Sequence, residues 1–237
     1  MTRLLLAVSA AAVGVAAVRL AVWFDAHITV LLDEGWRTAL RRPARRAASA
    51  WGLRPVDVPA AVLAAAVVPA ADRPAAALAA VVLGGCLAVS AWIDWRHRII
   101  PDLLSLPLLA AGLAVSATPA ALADWSAAWP GALLGLALGG AVRWLGGGLG
   151  WGDVKLLAAI GAWVGAVAIC PLFLLSCGLM AVPLAWRRQS GGEGGLPMAP
   201  MLAFVTLPVA LVLAETRANG IYLSNKLYSI IFLSCYP

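Results

Sequence analysis

Gly146-Gly147-Gly148-Leu149-Gly150-Trp151-Gly152-Asp153-Val154-Lys155 is a glycine-rich hinge that ends in a carboxylate and opens onto an apolar run. A second apolar run, residues 126–145, delivers the chain to it. If those runs cross a bilayer, Asp153 stands at the mouth of a membrane helix, where a carboxylate is costly and marks a functional site by default. The fold therefore turns on whether the flanking runs are spans, and the function on whether a second group gives Asp153 chemistry to do.

Composition answers the first question. Of 237 residues, 63% are hydrophobic and 12% charged, whereas a soluble domain is about half apolar and about a quarter charged. Several apolar runs approach the roughly 20 residues that cross a bilayer. Every backbone polar group must be satisfied internally in lipid, so the expected fold class is all-α, a polytopic membrane helix bundle. The net charge of +6 fits Arg and Lys marking cytoplasmic loops. No basic face with interleaved aromatics appears outside those loops, so no nucleic-acid partner is expected. Cys86, Cys170, Cys177 and Cys235 form no Cys-x-x-Cys pair, so neither a metal site nor a disulfide framework is indicated.

The apolar runs number about eight: 4–24, 58–71, 75–93, 103–117, 126–145, 154–169, 172–186 and 196–214. The last boundary but one is placed at Cys170-Pro171. Pro101 restarts a helix at about its first turn. Run 4–24 is expected to be retained as a span, since no small-residue cleavage site follows before Trp23-Phe24-Asp25. Within the Arg-rich connector 25–57, residues 31–51 form either an amphipathic helix on the membrane surface or a plain basic loop. With the N-terminus outside, the inner segments 25–57, 94–100, 143–155 and 187–195 hold twelve Arg and Lys residues against four outside, as the positive-inside rule requires. The expected organisation is a first transmembrane helix at 1–24, a basic cytoplasmic connector at 25–57, a membrane-embedded bundle at 58–214 and an atypical tail at 215–237. The tail holds all three tyrosines and both asparagines but Asn219 marks its compositional break, which suggests a non-native end.

In this topology Asp94 ends an inward span and Asp153 begins an outward one, so both lie at one depth. Two carboxylates a few ångströms apart share a proton. The ionised member can deprotonate water while the protonated one polarises a peptide carbonyl. This aspartic-protease chemistry calls for neither a cofactor nor a metal. Gly150 and Gly152 allow positive φ and close approach of another backbone, which would admit an extended substrate; otherwise the segment is a mobile turn with Asp153 as an N-cap. Lys155 either holds a peptide carboxylate, steadies the aspartates or snorkels as a topology anchor. Asp102 fits a favourable N-terminal helix position, Glu193 a solvated loop, and His97 the headgroup region.

These residues resemble a known family. Ile93-Asp94-Trp95-Arg96-His97-Arg98-Ile99-Ile100-Pro101-Asp102 is similar to the first signature of the type IV prepilin peptidases, Gly150-Trp151-Gly152-Asp153-Val154-Lys155-Leu156 to their Gly-x-Gly-Asp box, and Leu196-Pro197-Met198-Ala199-Pro200-Met201-Leu202-Ala203 to their Pro-x-x-Pro segment. The resemblance covers roughly 75–214. It implies an intramembrane aspartic endopeptidase in the inner (plasma) membrane that removes, at the cytoplasmic face, the short basic leader of type IV pilin-like precursors. Asp94 and Asp153 match the catalytic aspartates, and Gly150, Gly152, Lys155 and Pro101 fall in the surrounding substrate-side loops. Longer family members carry paired Cys-x-x-Cys motifs after the first span and methylate the trimmed product. Connector 25–57 has no cysteine, so methylation and S-adenosylmethionine use are not expected. The expected partners are the pilin-like precursor, with its basic leader and apolar helix, and the lipid bilayer; the sequence leaves the oligomeric state open. Two other readings remain: a proton-coupled transporter relaying through the two aspartates, for which neither an internal repeat nor a polar path is visible, and a non-catalytic pilus or secretion subunit.

Overall fold

The computed structural model describes residues 2–33, 73–146, 149–189 and 197–216. The described residues are all helical in their regular structure, with seven helices: α1 Thr2–Asp33, α2 Pro74–His97, α3 Asp102–Ser116, α4 Trp125–Trp144, α5 Trp151–Val164, α6 Ala166–Gln189 and α7 Ala199–Thr216. Three stretches are long and apolar enough to cross a bilayer: Leu4–Phe24, Pro74–His97 and Trp125–Trp144. Asp102–Ser116, Ala166–Ala181 and Ala199–Ala214 are shorter apolar helices. The chain is thus a helical membrane protein by length and composition. The expected span 58–71, most of connector 25–57, loop residue Glu193 and nearly all of the tail lie outside the described residues.

α5 is the centre of the bundle. It has 14 residues, about 21 Å at 1.5 Å per residue, short of the ~30 Å hydrocarbon core. Every residue from Leu156 to Val164 is buried. α4 lies along it through glycines spaced four apart. A Cβ on Gly131 would strike the backbone of Gly161 and Gly165, one on Gly135 the Leu157 carbonyl, and one on Gly139 the Val154 Cα at 3.1 Å. Small residues at this spacing let two backbones touch, which is how helices associate where lipid removes the hydrophobic drive. α3 crosses the other side: the Trp163 indole N–H donates to the Leu108 carbonyl at 2.8 Å and lies over Gly112, where a Cβ would meet the ring at 2.6 Å. α2 packs on α1 and α7.

The structure corrects several expected boundaries. The break expected at Cys170-Pro171 falls instead at Gly165, whose φ is +83°; Pro171 is carried inside α6. Proline is tolerated in membrane helices because neighbouring groups re-satisfy the freed carbonyl. The run ending near residue 24 continues as helix to Asp33, with Phe24, His27 and Ile28 buried. Asp94 lies within the last turn of α2 rather than beyond its end. Pro101 is the N-cap of α3, one position earlier than a first-turn proline.

Candidate aspartate site

One end of the bundle gathers the three stretches quoted above. Ile100 of the first lies on Gly152 of the second, and Asp94 of the first accepts a hydrogen bond from Ala199 of the third. The opposite end is tied by Arg73, whose guanidinium donates to the Pro119 carbonyl at 2.6 Å.

α2 delivers Asp94. Next to it Ile93 is buried with Val89, Phe24 and Ile28, so α1 buttresses this end of α2. The helix stops at Arg98, in the left-handed conformation (φ 58°, ψ 32°), whose N–H returns to the Asp94 carbonyl at 2.9 Å. The Asp94 side chain is only 6% exposed. Its Oδ2 accepts the Ala199 N–H at 3.0 Å, at the first residue of α7. The Pro-x-x-Pro segment thereby acquires a role: it starts a helix whose N-terminal donor holds a buried carboxylate.

Asp153 occupies the third position of α5, not the N-cap; the cap is Gly150. Its Oδ2 accepts the Gly150 N–H at 3.1 Å, the side-chain half of a capping box. Its Oδ1 is buried without a hydrogen-bond partner among the described residues. Burial, and after it the negative charge of Asp94, push the Asp153 carboxyl up to about 6, against the Gly150 hydrogen bond, which lowers it. The two aspartates therefore act on one another across 59 positions of sequence.

The glycines do not serve as expected. Gly150 has φ −71° and Gly152 is helical, so neither uses positive φ; among the described residues of the hinge that conformation belongs to Gly146, at φ +81°. Close approach does occur, but from this chain's own first signature. A Cβ on Gly152 would lie 2.9 Å from the Ile100 Cβ and 3.1 Å from its carbonyl oxygen. A Cβ on Gly150 would lie 3.1 Å from the Asp153 Oδ2. Lys155 does not reach the aspartates: its Nζ donates to both oxygens of Asp102 at 2.7 Å. Arg143, unremarked as a site residue by sequence reasoning, donates to the Leu149 carbonyl at 2.7 Å and stacks over Trp151 with its Cζ 4.8 Å from the ring centre. It spans the glycine hinge from the end of α4, and its place just before the hinge was the signal that could have found it. Among the described residues no three His, Cys, Asp or Glu side chains form a metal-type cluster.

Residues 81–185 match the model of the type IV leader peptidase family, a range that contains both aspartates. Three curated relatives are informative. A "Prepilin leader peptidase/N-methyltransferase" of Burkholderia pseudomallei is 35% identical over 62% of this chain and 50% of its own length. One of the same name from Xanthomonas campestris pv. campestris is 39% identical over 52% of this chain and 46% of its own. "Leader peptidase HopD" of Escherichia coli is 36% identical over 52% of this chain and 85% of its own length. No solved structure matches. The chain belongs to the type IV leader peptidase family. It spans about half the length of the two relatives named as peptidase/N-methyltransferases.

Proposed function

We propose that this chain is a multi-pass inner-membrane aspartic endopeptidase that removes the short basic leader of type IV pilin-like precursors at the cytoplasmic face. Asp94 and Asp153 are its catalytic pair. The observation that carries the reading is the raised carboxyl of Asp153 beside the buried carboxylate of Asp94, in a chain of the leader peptidase family.

The surroundings of the two groups divide the work between them. Asp94 receives the Ala199 N–H, a bond that stabilises its carboxylate, so it serves as the base. Asp153, with one bare buried oxygen, holds the proton. Asp94 takes a proton from water as the water oxygen adds to the scissile carbonyl carbon, and Asp153 gives its proton to the carbonyl oxygen. In the collapse of this tetrahedral diol, Asp94 returns its proton to the leaving amine nitrogen, the C–N bond breaks, and Asp153 recovers a proton from the other hydroxyl. The pair ends as it began.

The orientation, with about eight spans, the N-terminus outside and the aspartates cytoplasmic, rests on the twelve-to-four distribution of basic residues. Connector 25–57 has no cysteine, and the reading includes cleavage without N-methylation.

The test is cleavage of a pilin-type precursor in membranes. Asp94→Asn and Asp153→Asn, each alone, are expected to lower the rate roughly 100- to 10,000-fold, the range of acid–base catalysis. Near-parental trimming by either variant refutes the pair. Mass spectrometry of the product should show an unmodified N-terminus; a methyl group there refutes that part.

A further inference from the structure

Asp102 is the first residue of α3, eight positions after Asp94, and Lys155 lies two positions after Asp153. Their ion pair is bidentate, with both N–O distances 2.7 Å. Between them Ile100 lies on Gly152, closer than any side chain at 152 would allow. The chain turns out of α2 at Arg98 and runs through Ile99-Ile100-Pro101 across the first turn of α5 before starting α3. This short bridge links the end of α2, which carries Asp94, to the first turn of α5, which carries Asp153. Upstream of α5, Gly150 supplies one backbone donor to the Asp153 carboxylate, and Arg143 holds the Leu149 carbonyl and stacks on Trp151.

We propose that Asp102 and Lys155 are positioning residues: their ion pair fastens the first turn of α5 to the bridge from α2 and so sets Asp153 opposite Asp94. The assignment of a reaction to those aspartates rests on the peptidase reading above; the positioning role does not. The pair is poorly placed to stabilise the fold. Lys155 is 34% and Asp102 57% exposed, and exposed pairs contribute little to stability. Geometry is where it can matter, because a misplacement of about 1 Å can cost roughly 100-fold in rate.

The experiment uses the full chain in membranes with a pilin-type precursor. Asp102→Asn and Lys155→Gln are expected to accumulate at the parental level and to lower kcat roughly 10- to 100-fold, with KM nearly unchanged. Exchanging the charges in Asp102→Lys/Lys155→Asp should restore most of the loss. A rise in KM at constant kcat would mean that the pair contacts substrate, and loss of protein from the membrane in both single variants would make it structural; either overturns the proposal, as does a parental kcat. A second arm needs no cleavage. With the four native cysteines replaced by alanine, the disulfide-forming rate of Asp94→Cys/Asp153→Cys should fall severalfold when Lys155→Gln is added, and an unchanged rate overturns the proposal. If the parent cleaves nothing, the peptidase reading fails while this arm still decides the positioning role.

Discussion

Asp94 is carried in the last turn of a 24-residue helix and enclosed by two others, whereas Asp153 sits in the first turn of a 14-residue helix that glycines precede. Asp94 is fixed from outside its own helix, by a donor from α7 at 105 positions' remove. Asp153 is fixed locally, by a donor three positions away. The body of α5 is clamped along a glycine stripe that reaches Val154, and the turn carrying Asp153 is held by Ile100 on Gly152 and by the Lys155–Asp102 pair. The difference suggests a division of labour in which one carboxylate is a rigid reference and the other is set against it. It also explains why their environments differ although each carboxylate accepts a backbone N–H at the start of a helix.

The largest effect expected on this contrast comes from crowding the stripe. Gly135→Val forces side-chain atoms into the Leu157 carbonyl and should cost about 3 kcal/mol, at the upper end of overpacking. A denaturant titration in detergent would read it, and a parental midpoint would show that α4 and α5 are not locked as described.

Next is the titration of Asp153. Its carboxyl rises on folding from 3.8 to about 6, so the associated stability is complete below about pH 4 and is lost as pH rises through 6. Removing the charge with Asp153→Asn should therefore stabilise the protein at pH 8, by roughly 3 kcal/mol for a rise of about two pH units, even as cleavage is lost. In the parent, cleavage should decline as pH rises above about 6, because the acid form of Asp153 is depleted. A lower melting temperature for the variant at pH 8, or a rate still climbing from pH 6 to 8, would contradict the proton's placement. The smallest effect is local. Gly146→Ala places a Cβ at φ +81° with open space around it, so only backbone strain of about 1 kcal/mol opposes it, visible as a modest fall in melting temperature.

Much of this arrangement was legible in the sequence. Apolar run length located α2, α3 and α4 to within a residue or two at most ends, and the alternation of runs put Asp94 and Asp153 at one level. Two things were not legible for physical reasons. The break at Gly165 was displaced to Pro171 because proline is a strong signal in water and a weak one in a helix packed within a membrane bundle. The glycines around Asp153 were read as freedom for a substrate, yet Gly152 is occupied by Ile100 and Gly150 makes room for the Asp153 carboxylate. A glycine's reason depends on what lies against it, and that is a long-range fact. The Gly131, Gly135 and Gly139 repeat, by contrast, was visible as a spacing of four and needed only to be read as a helix contact.

The bond between Asp94 and Ala199 has a consequence for how the protein is made. The ribosome releases Asp94 105 residues before the N–H that holds it, and α7 follows every other described helix. Until α7 is inserted, the carboxylate lacks that donor and the pair of aspartates is incomplete. Assembly of this end of the bundle is therefore timed by synthesis, with Asp94 receiving its donor only after the other described helices have been made.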